Sequence, residues 1–115
     1  NKMHLDITPE VLVSQLNIGK TNSSLDQVTK AIENTKEFNK FSKHIISLND
    51  KLKHMNGFVS LSNSVPHFKI KCDAANDSSE IIQEFTDEVK HWANKYNVEL
   101  QKVDNKDVYY IIGIK

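Results

Sequence analysis

The sequence contains no arginine. All 15 basic residues are lysine, set against 15 acidic residues, so the formal net charge is zero. Arginine is the side chain that forks onto phosphate and guanine, and nucleic-acid-binding domains commonly carry a basic excess. Both absences disfavour nucleic acid as the partner, although abundant Lys and Asn also fit the codon usage of an AT-rich genome. The single cysteine, Cys72, excludes an internal disulfide framework and suits a reducing compartment. Three glycines and two prolines impose few forced turns. No apolar run reaches the length of a membrane span, and no charged-then-apolar signal segment opens the chain. Met3, behind Asn1-Lys2, reads as a candidate native start, which would make the protein a small cytoplasmic polypeptide.

What is present describes one globular domain. A chain of 115 residues with 38% hydrophobic and 26% charged residues is neither disordered nor fibrous. At this length a domain buries roughly two thirds of the surface its unfolded chain exposes, enough for one core without staples. Thr8-Pro9-Glu10 reads as a helix start, with Thr8 as cap and Pro9 at the first helical position. Val11, Leu12 and Leu16 give that helix a short apolar face that ends by Gly19, and Thr21 to Ser24 is a polar loop rich in caps.

From Leu25 to Met55 there is neither Gly nor Pro, yet the apolar period disagrees with itself. Leu25, Val28 and Ile32 form one stripe; Phe38, Phe41, Ile45, Leu48, Leu52 and Met55 form another. At about 100° per residue the two stripes lie on different faces, which predicts a break near Asn34–Asn39, with Asn34-x-x-Glu37 in capping-box form. A kinked helix is the alternative. Asn56-Gly57 ends the helical part, since both residues tolerate the left-handed conformation.

Beyond Gly57 the period changes to that of strands. Phe58–Ser62 and His67–Cys72 are the first two, joined by a turn at Asn63-Ser64; in the second, Phe68, Ile70 and Cys72 alternate against His67, Lys69 and Lys71. The loop from Asp73 to Ser79 offers Asp77, Ser78 and Ser79 as caps for a helix whose stripe is Ile82, Phe85, Val89, Trp92 and Tyr96. Val98–Gln101 and Val108–Ile114 are strands around a turn at Asp104–Asp107, and the last is apolar on both parities, which predicts cover on both faces.

The predicted fold is therefore α+β: a four-stranded antiparallel sheet in α-β-β-α-β-β order, a ferredoxin-like variant, with an accessory helical segment over residues 1–34 and the body over 35–115. From Phe38 to Lys115 that order of elements resembles the small domains of pilus and type II secretion inner-membrane platform proteins, which would make the chain a fragment of such a protein.

No catalytic or metal motif emerges. His44 and His54 fall on nearly opposite helix faces, His67 and Cys72 have opposite strand parity, and no paired ligand spacing occurs. Cys72 shares its face with Phe68 and Ile70 and reads as a core thiol. Glu84, Asp87 and Glu88 share a solvated helix side with Lys90 and Lys95. Gly19-Lys20-Thr21 lacks the two-glycine phosphate loop. These readings point to a non-enzymatic protein with no cofactor and no metal, acting as an interaction or assembly module that self-associates, with a homodimer expected. The apolar stripes exceed what one sheet face and one helix pair need, so either the N-terminal helices fold over the sheet or another chain supplies the cover; the second makes Leu25, Val28, Ile32, Tyr109 and Ile111 the candidate partner surface. The alternative is a small nucleic-acid-binding regulator using His67, Lys69 and Lys71, with Lys51 and Lys53 nearby in sequence and Tyr109 as a ring for a base to stack on.

Overall fold

The capping chemistry of the N-terminal third is the first feature the structure bears out. The computed structural model describes residues 8–62, 64–73, 79–103 and 106–115. Helix α1 spans Pro9–Gln15, with Thr8 Oγ1 accepting from the Val11 amide at 3.2 Å. The chain leaves it through Asn17, at a left-handed φ of 59°. Helix α2, Asn22–Glu33, opens on a reciprocal box: Thr21 and Ser24 each accept the other's amide at 2.9 Å.

The break expected between Asn34 and Asn39 is present, but its construction differs from the expected capping box. Asn34 closes α2, its Nδ2 donating back to the Lys30 carbonyl at 2.8 Å. Glu37 is left-handed at φ 54°, a single 3₁₀ turn covers Phe38–Lys40, and α3 follows over Ser42–Leu52 without a side-chain cap. Asn56, at φ 55°, turns the chain into β1.

The remaining elements are β1 Gly57–Leu61, β2 Phe68–Cys72, α4 Ser79–Tyr96, β3 Val98–Lys102 and β4 Val108–Ile114. The turn at Asn63, the caps Asp77 and Ser78, and the turn residues Asp104 and Asn105 lie outside the described residues. All pairings are antiparallel and the strands lie side by side in the order β1-β2-β4-β3. The fold is thus α+β with an open, four-stranded antiparallel sheet.

One face of the sheet is the floor of the core. Val59, Phe68, Ile70, Val98, Tyr109 and Ile111 are buried there, beneath Ile45, Leu48 and Leu52 of α3 and Phe85, Val89 and Trp92 of α4. Aromatic rings link the layers. Phe38 stacks on Phe68 with centroids 5.6 Å apart, and Phe41 lies edge-on to Phe38 at 6.0 Å and to Trp92 at 6.2 Å. The Trp92 indole N–H donates to the His44 carbonyl at 3.0 Å, which joins α4 to α3. Leu12, Val13, Leu16, Val28 and Ala31 of the first two helices and the turn after α1 belong to the same apolar cluster.

That cluster uses up the apolar surplus read from the sequence. Val28, Tyr109 and Ile111 are buried in this chain's own core, and Leu25 and Ile32 are partly buried against it. A partner therefore cannot reach three of the five residues proposed as its surface. The reason is that α1 and α2 supply cover that sequence periodicity leaves unassigned. Among the described large hydrophobics only Val11 counts as exposed, at 37%. The expectation that β4 is covered on both faces also needs correction: Tyr109, Ile111 and Gly113 are buried, whereas Val108, Tyr110 and Ile112 are half-buried.

Two contacts fix the sheet's borders. Beyond Tyr110, where pairing with β2 ends, Lys36 runs parallel to β4; its amide donates to the Ile112 carbonyl at 3.2 Å and its carbonyl accepts from the Ile114 amide at 3.0 Å. Gly113 faces it at φ 139°, where a Cβ would stand 2.5–2.6 Å from Lys36 atoms. On the free edge of β1, the buried Asn49 side chain accepts from the Val59 amide at 2.8 Å. We expect Gly113→Ala to lower unfolding stability by at least about 2 kcal/mol, since the φ is strained for any Cβ and the backbone contact leaves no room. Asn49→Ala should cost about 1–3 kcal/mol by orphaning a buried amide. Urea unfolding of both variants checks these values.

Candidate functional site: the open face of the sheet

Strand alternation sends the polar positions of β2 away from the helices. Lys69 and Lys71 therefore emerge on the opposite face, where register adds their neighbours. Ser60, Lys69, Tyr110 and Gln101 form one row across all four strands, and Phe58, Lys71 and Val108 form the next. Directly opposed side chains in such a sheet have Cβ atoms about 5 Å apart. The face thus interleaves two ammonium groups with two aromatic rings, all half-buried among one another.

Along this face a cleft of about 400 Å³ opens between Lys69, Lys71, Lys106, Tyr110, Ser62 and Ser64. The Ser62 hydroxyl is fixed by accepting from the amides of Ser64 and Val65 at 3.2 and 3.3 Å. It stands 3.3 Å from Ser64 Oγ, which in turn is 3.4 Å from the Tyr110 hydroxyl. Hydrogen bonds to Ser64 and Ser62, and the nearby charges of Lys69 and Lys106, hold the Tyr110 hydroxyl below its usual pKa. Asp107 contributes one carboxylate to the lining. Among the described residues, the ion pairs are Lys30–Asp26, Lys40–Glu37 and Lys53–Asp50, so Lys69, Lys71 and Lys106 are in none of them.

The sequence-derived candidates divide cleanly. Lys69 and Lys71 come together in the cleft, and His67 lies beside it with its ring 6.3 Å from that of Tyr110 and its Nδ1 buried without a hydrogen-bond partner. Lys51 and Lys53 do not join them: Lys51 lines the groove between α3 and α4, and Lys53 pairs with Asp50. Tyr109 is not the ring on the lysine face. It points into the core beside Phe85, and Tyr110 takes that place. A shift of one residue reverses the face of every side chain on a strand, and only the Lys69–Tyr110 register reveals which tyrosine joins the lysines. The even spacing of Val108, Tyr110 and Ile112 was the available signal.

Cys72 is buried, with its thiol 3.6 Å from the Met55 carbonyl. Among the described residues no three of His, Cys, Asp and Glu converge as metal ligands would, and no helix is long and apolar enough to cross a membrane. Comparison with protein families, with curated proteins and with solved structures finds no match.

His44 illustrates a titratable group held by packing. Its ring stacks on Tyr96, with centroids 3.8 Å apart and planes 14° from parallel. Burial, then the charges of Lys43 and Lys95, push its pKa below the ordinary 6.5. The folded protein therefore binds fewer protons than the unfolded chain as pH falls below that value, and stability declines in that direction. We expect the melting temperature to fall between pH 7.5 and pH 5.5, and to fall less in His44→Gln. An equal decline in both proteins would contradict the assignment.

Proposed function

We propose that the chain is a non-enzymatic binding module that holds single-stranded nucleic acid on the open face of its sheet. The observation that carries this reading is the placement of Tyr110 and Phe58 on the same face as Lys69 and Lys71, with Lys106 at its border and no described carboxylate paired with any of the three lysines. Single strands bind where cations follow the phosphates and aromatic rings take the bases, because every base has a π-face. Lysine suits this role as a point charge. It lacks the planar fork that reads guanine, so binding is tolerant of sequence, and the absence of arginine disfavours specific readout without excluding phosphate contact. Zero net charge limits the attraction to one face and predicts modest affinity.

Self-association on the same face is the second reading, favoured by the half-buried Phe58, Val108 and Ile112 on that face. Sedimentation velocity decides it: a strictly monomeric protein across the accessible concentration range would remove it. The ferredoxin-like comparison belongs here too. In a β-α-β-β-α-β sheet the first strand lies between the third and fourth, and moving it to the chain's end yields the neighbour order β1-β2-β4-β3. This supports the ferredoxin-like variant and, with it, the likeness to secretion-platform domains, but it concerns fold and adds no residue of a site.

Fluorescence anisotropy with labelled oligonucleotides of about a dozen residues tests the main reading. We expect binding at low salt with a log–log salt slope of about −2, the value for three phosphates on a single strand. The double change Lys69→Glu and Lys71→Glu should abolish it, and Tyr110→Ala should weaken it by about 1–3 kcal/mol. No binding to any oligonucleotide at low salt would overturn the proposal.

A further inference from the structure

The cleft beside the sheet face contains a feature that general attraction to a polyanion does not need. The hydroxyls of Ser62, Ser64 and Tyr110 form a chain of three oxygens joined by two contacts, 3.3 and 3.4 Å long. Each hydroxyl can donate as well as accept, so the cluster can turn a donor toward a ligand. Ser62 already accepts two backbone amides, which fixes the chain on the turn. Around it stand Lys69, Lys71 and Lys106, and Asp107 is the carboxylate among the described lining residues. Three ammonium groups and a hydroxyl donor exceed what one phosphodiester, with one negative charge, can satisfy. A phosphomonoester carries between about −1.5 and −2 at neutral pH and offers three terminal oxygens.

We propose that this cleft is a phosphomonoester site, which seats the terminal phosphate of a strand whose first base stacks on Tyr110. The inference rests on the reading that the sheet face holds nucleic acid, and it deepens that reading by giving the strand an end. Tyr110 belongs to both parts: its hydroxyl lines the cleft and its ring lies in the row with Lys69 and Gln101. The volume of about 400 Å³ leaves room for a phosphate and part of the sugar attached to it. Charge-assisted hydrogen bonds are the stronger class, and several converge on one group here.

The test compares oligonucleotides of one sequence ending in a 5′-phosphate, a 3′-phosphate or free hydroxyls, with inorganic phosphate as competitor. We expect one phosphorylated end to bind about tenfold more tightly than the hydroxyl-ended strand. Tyr110→Phe keeps the stacking ring and removes the hydroxyl, and Ser64→Ala removes the middle oxygen. Each should erase the phosphate preference, and Ser64→Ala, which leaves the ring and the lysines in place, should keep affinity for the hydroxyl-ended strand within about twofold of the wild type. Equal affinity for all three ends, with binding otherwise intact, would overturn the phosphomonoester site and leave the binding platform standing. So would inorganic phosphate shifting the amide resonances of Ser64 and Lys106 while a terminal phosphate gives the strand no advantage, which would assign the cleft to the free ion. Failure of every strand to bind would overturn the platform and this site together.

Discussion

The approach of the Lys36 backbone to Gly113 is the constraint on which the rest of the arrangement depends. It occurs where β2 has ended and β4 continues, so that the link between the first two helices and the body becomes a short extra row of the sheet. Only a residue without a Cβ allows it, at a φ that side chains rarely adopt. Pairing of β3 with β4 passes from Glu99–Gly113 to Leu100–Ile111, leaving Ile112 as the extra residue of a bulge beside that glycine. With Lys36 anchored, Phe38 two residues on is delivered to the Phe68 ring, and Phe41 to Trp92. The direction of α3, and hence of the helix layer, follows from those contacts.

Because both body helices lie on one side, the sheet is left with a face and two edges to defend. The edges are defended in different ways. Asn49 occupies an outward amide of β1 from the helix above it. β3 presents exposed Glu99, Gln101 and Lys102, charged and polar side chains that discourage edge-to-edge pairing. Among the described residues the face has no comparable closure. Its half-buried rings alternate with lysines, a composition too charged for a second sheet to pack on dry and too aromatic for a plain solvated surface.

Much of this was legible in the residues. Local rules sufficed for Thr8 and Asn56, because a cap or a left-handed turn is decided within about four residues; Thr21 to Ser24 read as a cap-rich loop, whereas Asn22–Ser24 already belong to α2. The rotation of the apolar stripe was equally readable and correctly located the break before Phe38. What the sequence could not show was register. Parity separated Tyr109 from Tyr110 but not which of them stands beside Lys69, since that choice is made between strands some 40 residues apart in the chain. The same limit explains why Val28 and Ile111 looked like surplus. Counting apolar stripes assumes a two-layer body, whereas α1 and α2 add a further wall to the core.

The lysines themselves supply the last step. With 15 basic and 15 acidic residues, random placement would pair charges of opposite sign over the whole surface. The described ion pairs are all local helical ones, three or four residues apart, where opposite charges gain little and are easily exchanged for water. Lys69 and Lys71 of one strand instead meet Lys106 of the turn before β4, brought together by the pairing of β2 with β4. Bringing like charges together raises the energy of the empty face, modestly so in water. The same placement becomes favourable when a polyanion neutralises all three at once and releases its counterions.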